Sequence, residues 1–82
     1  MEVILSLDAR KQLKRLPKSE QHKVAKKLIE LRNNPLAGKK LSGDLTNRRS
    51  LRAWPYRIIY KISKNTHKVE VSDILHRQGA YK

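Results

Sequence analysis

The apolar residues of this 82-residue chain pass from a helical period to a period of two at about residue 47, and that change decides what the chain can fold into. Ala9, Leu13 and Leu16 recur at i, i+4 and i+7, and Val24, Ala25, Leu28, Ile29 and Leu31 follow a 3.6-residue spacing, the pattern of a helix with one buried side. Beyond residue 47 the period is two. Segments 48–53 (RRSLRA), 56–63 (YRIIYKIS) and 68–75 (KVEVSDIL) are rich in β-branched and aromatic residues, as strands are. Trp54-Pro55 and Lys64-Asn65-Thr66-His67 divide them, so they form a three-strand meander.

The remaining boundaries follow from local chemistry. Val3, Leu5 and Leu7 alternate with Glu2, Ile4 and Ser6, which predicts a first strand over residues 2–7. Asp8 offers an N-cap for a helix over residues 9–16 that Pro17 ends, and Ser19 offers one for a second helix that Asn33-Asn34-Pro35 stops. Residues 35–47 hold two Gly and one Pro and read as a loop anchored by Leu41 and Leu45. The expected architecture is α+β in the order β-α-α-β-β-β, a helical hairpin packed on a small, mainly antiparallel sheet. Parity breaks once, between Val69 or Val71 and Ile74, so a bulge is expected near Asp73.

An 82-residue chain without cysteine predicts one domain over residues 1–82, held by packing rather than by disulfides or a Cys-based zinc site. His22 and His67 have no partner at metal-ligand spacing, and no metal or cofactor is expected. No apolar run reaches ten residues and the first ten residues lack the features of a signal peptide, so the expectation is a cytoplasmic protein with no membrane contact.

Charge carries the first functional signal. Twenty Lys and Arg against seven Asp and Glu give a net charge of +13, a self-repulsion that a polyanion or an acidic partner would relieve. The excess is spread over the whole chain. Between Asp44 and Glu70 there is no acidic residue, but Arg48, Arg49, Arg52, Arg57, Lys61, Lys64 and Lys68 all fall there, the footprint of a phosphate-binding surface. Strand alternation puts Tyr56, Ile58, Tyr60 and Ile62 on one face and Arg57, Ile59, Lys61 and Ser63 on the other, with Arg48, Ser50 and Arg52 opposite Arg49, Leu51 and Ala53. With the apolar sets toward the helices, Arg48, Arg52, Arg57 and Lys61 share the open face as a cationic floor.

The ordered set Leu41-Ser42-Gly43, Arg48 to Arg52, Pro55-Tyr56-Arg57-Ile58-Ile59-Tyr60-Lys61-Ile62, then His76-Arg77 and Tyr81, resembles the RelE/ParE superfamily of toxin–antitoxin toxins. The resemblance covers nearly the whole chain and implies the same fold order. Its RelE branch implies an endoribonuclease that enters the ribosomal A site, cuts mRNA and is held inactive by a cognate acidic antitoxin. Its ParE branch implies a DNA gyrase inhibitor without nuclease activity. A basic RNA-binding domain without toxicity is the third possibility.

Metal-free RNA cleavage needs a base for the 2′-OH, cations for the charged phosphorane and an acid for the leaving 5′-oxygen, and it yields a 2′,3′-cyclic phosphate. By match to the family motif, Arg57 would stabilise the non-bridging oxygens and Tyr81 would be the base. A free phenol titrates at about pH 10, so that role requires neighbouring cations, for which Arg77 and Arg57 are available. Arg77 would hold phosphate or assist the leaving group, and His76 is a rival acid. Arg48, Arg52, Lys39, Lys40 and Lys61 are the expected RNA-binding cations. The best-studied members carry two lysines spaced by one residue where this chain has Arg48 and Ser50, so one cation is absent and Arg52, Lys39 and Lys40 are its substitutes. A sister group uses a glutamate base whose place here lies close to Pro35. Trp54 would either stack on a base or cover the edge of the core, and the usual burial of Trp favours the second.

Overall fold

The computed structural model describes residues 1–41 and 47–76. Its elements are β1 (Glu2–Leu5), α1 (Leu7–Lys14), α2 (Lys18–Asn33), β2 (Lys39–Lys40), β3 (Arg49–Ala53), β4 (Tyr56–Ser63) and β5 (Lys68–His76). The five strands form one sheet in the order β1-β5-β4-β3-β2. β1 runs parallel to β5 and the other pairs are antiparallel. The expected helical hairpin, meander and mainly antiparallel sheet are all present.

The first strand is shorter than the alternation suggested, because Ser6 caps α1. Its Oγ accepts a hydrogen bond from Ala9 N at 3.0 Å, so the helix starts at Leu7 and Asp8 lies in the first turn, where its carboxylate faces the positive end of the helix dipole. Ser19 likewise lies inside α2, whose N-cap is Pro17 without a side-chain cap. Instead, Gln21 Nε2 donates to Leu16 O at 2.8 Å and ties the two helices together.

Val24 and Leu31 are fully buried and Leu28 half-buried, an i, i+4, i+7 stripe. Ala25 and Ile29, expected on the packed side, sit one residue further round the helix and are exposed. The sheet-facing partners are Leu51, Ala53, Ile58, Tyr60, Val69, Val71 and Ile74. No helix among the described residues is long and apolar enough to cross a membrane.

The expected bulge is in β5. Ile59 pairs with Asp73 but Tyr60 pairs with Val71, so Ser72 is the extra residue. Helix α1 satisfies the disrupted ladder: Ser6 Oγ donates to Ser72 O at 2.8 Å, and Ile74 N donates to Gln12 Oε1 at 2.7 Å. The residue that starts α1 therefore also holds the bulge that turns the end of β5.

The loop expected over residues 35–47 contains a strand that alternation could not show. Lys39 and Lys40 pair with Ser50 and Arg49, and two lysines carry no strand propensity of their own. They are placed by Tyr60, whose side chain is 0% exposed. Its hydroxyl donates to Pro35 O at 2.8 Å and accepts from Gly38 N at 2.9 Å. Arg49 Nη1 donates to Gly38 O at 2.9 Å. A Cβ on Gly38 would lie 2.6 Å from the Tyr60 hydroxyl oxygen and 2.9 Å from Ser50 O, so glycine is required by close approach. Leu41 is half-buried, and Leu45 lies outside the described residues.

Candidate functional site

The strongest concentration of chemistry lies where β2 stops. β2 covers β3 only at Arg49 and Ser50, and there a cleft of about 580 Å³ opens. Its described lining includes Lys27, Lys39, Lys40, Ser50, Arg52 and Arg57, and no carboxylate. Arg52 and Arg57 are direct cross-strand partners. Like charges opposite each other destabilise a sheet unless counter-charges are brought to them.

Ser50 lies two residues from Arg52 on the same face, cross-strand from Ile59. It is only 7% exposed, and its Oγ has no hydrogen-bond partner among the described residues. A buried hydroxyl left unpaired costs free energy, and here it lines a cation-rich cleft. The family resemblance marked this position only as a missing positive charge. The signal that could have found it is alternation, which already grouped Ser50 with Arg52.

The expected cationic floor is real but divided. Arg52 and Arg57 form one pair, the Ser50–Ile59 pair follows, and Arg48 and Lys61 line a different cavity of about 320 Å³ together with Ile4, Ser6, Glu70 and Ser72. Lys61 is not an open cation: its Nζ lies 3.6 Å from Glu70 Oε1, its cross-strand partner. Glu70 therefore interrupts the positive surface. Lys39 and Lys40 both line the Arg52–Arg57 cleft, Lys40 also lining a second cavity with its cross-strand partner Arg49, and Lys27 of α2, whose Nζ lies 3.4 Å from Glu30 Oε1, joins them.

His76 pairs across the sheet with Tyr56, while Arg57 pairs with Leu75. Its ring meets Tyr56 edge-on at 5.6 Å. His76 thus belongs to the face opposite Arg57. Arg77 and Tyr81 lie outside the described residues, as do Ser42 and Gly43.

Trp54 departs from expectation. It is 51% exposed rather than packed on the core edge, at the β3–β4 turn, where the Trp54–Pro55 peptide bond is cis. The Arg52 guanidinium carbon lies 5.8 Å from the ring centroid, within cation–π range.

The Tyr60 phenol is the one described group whose titration clearly shifts. Burial pushes it up from its ordinary value, against the opposing effects of the Gly38 hydrogen bond and the Arg49 charge. It stays a neutral hydroxyl that holds the loop carrying Lys39 and Lys40. Among the described residues no group of three or more His, Asp or Glu side chains is placed to hold a metal ion.

Residues 3–81 match the family model described as ParE toxin of type II toxin-antitoxin system, parDE. The chain is 35% identical over 86 residues to Toxin RelE of Mycobacterium tuberculosis (strain ATCC 25618 / H37Rv), an alignment covering 98% of this chain and 84% of that protein. Its structure is similar to a chain of the toxin-antitoxin complex RelBE2 from Mycobacterium tuberculosis, with a TM-score of 0.84, 29% identity and coverage of 93% of this chain and 96% of that one. The isolated E. coli RelE toxin superposes with a TM-score of 0.76 at 24% identity, covering 92% of this chain and 82% of that one, which is a likeness of fold.

Proposed function

The chain belongs to the ParE toxin family of type II toxin–antitoxin systems, and from that membership and the cleft we propose that it is a ribosome-dependent endoribonuclease that cuts mRNA in the A site. The observation that carries the proposal is the Arg52–Arg57 cross-strand pair beside the buried Ser50 hydroxyl, which has no hydrogen-bond partner among the described residues, in a cleft without a described carboxylate. The RelE identity of the curated relative favours this activity over gyrase inhibition.

In the proposed reaction the 2′-OH gives up its proton to the base and attacks the adjacent phosphorus. The bond to the 5′-oxygen breaks as that oxygen takes a proton from water with Arg77 assisting its departure, giving a 2′,3′-cyclic phosphate and a 5′-hydroxyl. Negative charge grows on the non-bridging oxygens. Arg57 on the rigid centre of β4 presents a fixed fork of donors to that charge, and Arg52 supplies the second. The Ser50 hydroxyl donates to a phosphate oxygen. Lys39 and Lys40 hold the strand on either side of the reacting phosphate. Tyr81 as base and Arg77 as its activating cation follow from the family resemblance. Leu75 is cross-strand from Arg57, and Arg77 follows it by two residues in sequence. His76, on the opposite face, is a ring partner of Tyr56 in this scheme and not the acid.

The partner that restrains the reaction is a cognate acidic antitoxin. The similar RelBE2 structure is a toxin-antitoxin complex, and the net charge of +13 suits an acidic segment that folds as it wraps the toxin. The deciding experiment adds the purified chain to translating ribosomes and maps mRNA 5′ ends, with a gyrase cleavage assay in parallel. Codon-phased cuts bearing 5′-hydroxyls are expected. Intact mRNA together with trapped gyrase–DNA complexes would overturn the nuclease assignment.

A further inference from the structure

We propose that Trp54, with Arg52 held over its ring, is a nucleobase-stacking site of the same RNA surface, taking an unpaired base of single-stranded RNA next to the phosphate bound in the cleft. This deepens the nuclease proposal and rests on it. Trp is the largest apolar side chain and the chain has only one. If it served the core it would be covered, yet half of it faces solvent. Arg52 connects it to the cleft: the guanidinium lies 5.8 Å from the ring centroid, and the same residue lines the cleft and pairs with Arg57 across the sheet. An aromatic face beside a cationic groove is the combination that binds single strands, because every base has a π face and every linkage a phosphate.

The short β3–β4 turn sets the ring between two paired strands, so the platform is held by the scaffold. A base stacked on the indole places its own phosphate toward Arg52, and the next phosphate falls to Arg57. Trp54 therefore fixes which linkage enters the cleft, through stacking that tolerates any base.

The single tryptophan makes the test direct, since intrinsic fluorescence reports Trp54 alone. The probes are an RNA of about eight nucleotides, 2′-O-methylated to block cleavage, and an abasic strand with the same number of phosphates. The base-bearing strand should quench the fluorescence and bind about tenfold more tightly, the scale of one base–aromatic stack. By anisotropy of end-labelled strands, which needs no tryptophan, Trp54→Leu should abolish that difference in affinity without altering the salt dependence, and Trp54→Tyr should keep part of it. Equal binding of both strands, absence of quenching, or failure of either strand to bind at low salt would overturn the proposal. Equal, salt-sensitive binding alongside normal mRNA cutting removes the stacking site and leaves the nuclease assignment standing. Base-dependent quenching without ribosomal cleavage does the reverse.

Discussion

The two halves of the sheet treat positive charge in opposite ways. On the β1–β5–β4 side, lysines face carboxylates in register: Lys61 meets Glu70 at 3.6 Å and Lys68 meets Glu2 at 3.8 Å, each across a strand pair. Toward the other edge, on β2, β3 and the start of β4, Lys39, Lys40 and Arg52 have no ion pair among the described residues, and Arg52 of β3 stands opposite Arg57 of β4. Both halves are built from the same residue types. Among the described residues the positive charge is therefore not a uniform coat: carboxylates stand in register with the lysines of one half, and the other half carries cations on neighbouring strands.

The largest effect should separate the halves by activity. Arg57→Ala should reduce mRNA cleavage about 10²-fold or more, as expected when a donor to a developing charge is removed, whereas Lys68→Gln should leave cleavage unchanged. Urea unfolding of both variants should show a single cooperative transition, so that a loss of cleavage is read on folded protein. Equal cleavage by both folded variants would erase the functional distinction between the two sides.

Next comes the lock that builds the β2 side. Gly38→Ala forces a methyl against the Tyr60 hydroxyl and Ser50 O, and such overpacking costs about 1–3 kcal/mol. Tyr60→Phe removes the partner of Pro35 O and Gly38 N and should cost a similar amount, about 1–3 kcal/mol. Both should also weaken RNA binding, since Lys39 and Lys40 follow Gly38 directly. Full stability in either variant would mean that β2 is held by something other than Tyr60.

This lock is only half visible in the sequence. Alternation correctly places Tyr60 with Ile58 and Ile62 on the helix-facing side, and a buried phenol needs a hydrogen-bond partner, but which backbone groups supply it is a tertiary matter. The helices and the meander are legible because their periods are long and clean, and β4 is bounded correctly at 56–63. The bulge is legible from the broken parity at Ile74. Ser6 reads as the end of a strand because its capping role is joined to Ser72, 66 residues away. Within the site, Arg52 and Arg57 are visible as charges of matching parity. Ser50 looks like a deficit until its burial makes it a donor in need of an acceptor, and the general habit of tryptophan gives no warning of the exposed setting of Trp54.

Alkaline pH should sharpen the role of Tyr60. Its folded-state titration lies above the ordinary value of about 10, so folding keeps a proton that the unfolded chain releases. That contribution is fully present below about pH 10 and is lost as pH rises through the folded value. Stability should therefore fall more steeply above pH 10 in the parent than in Tyr60→Phe. Superimposable pH profiles would show that the phenol is not the group being protected.

The smallest effect is a change in slope. Binding of a fixed-length RNA should weaken with salt in proportion to the phosphates neutralised, and deleting one phosphate-binding cation should lower the log–log slope by about one. Lys39→Gln removes a cation that has no carboxylate partner among the described residues, so its slope should drop by about that unit. Lys68→Gln removes a cation already committed to Glu2, so the number of phosphates neutralised, and with it the slope, should stay the same. An exposed ion pair of this kind contributes only about 0–1 kcal/mol, so neither substitution should unfold the chain. If Lys68→Gln lowered the slope as much as Lys39→Gln, the carboxylates of the β1–β5 side would not be screening their lysines from RNA, and the two halves would be one continuous basic surface.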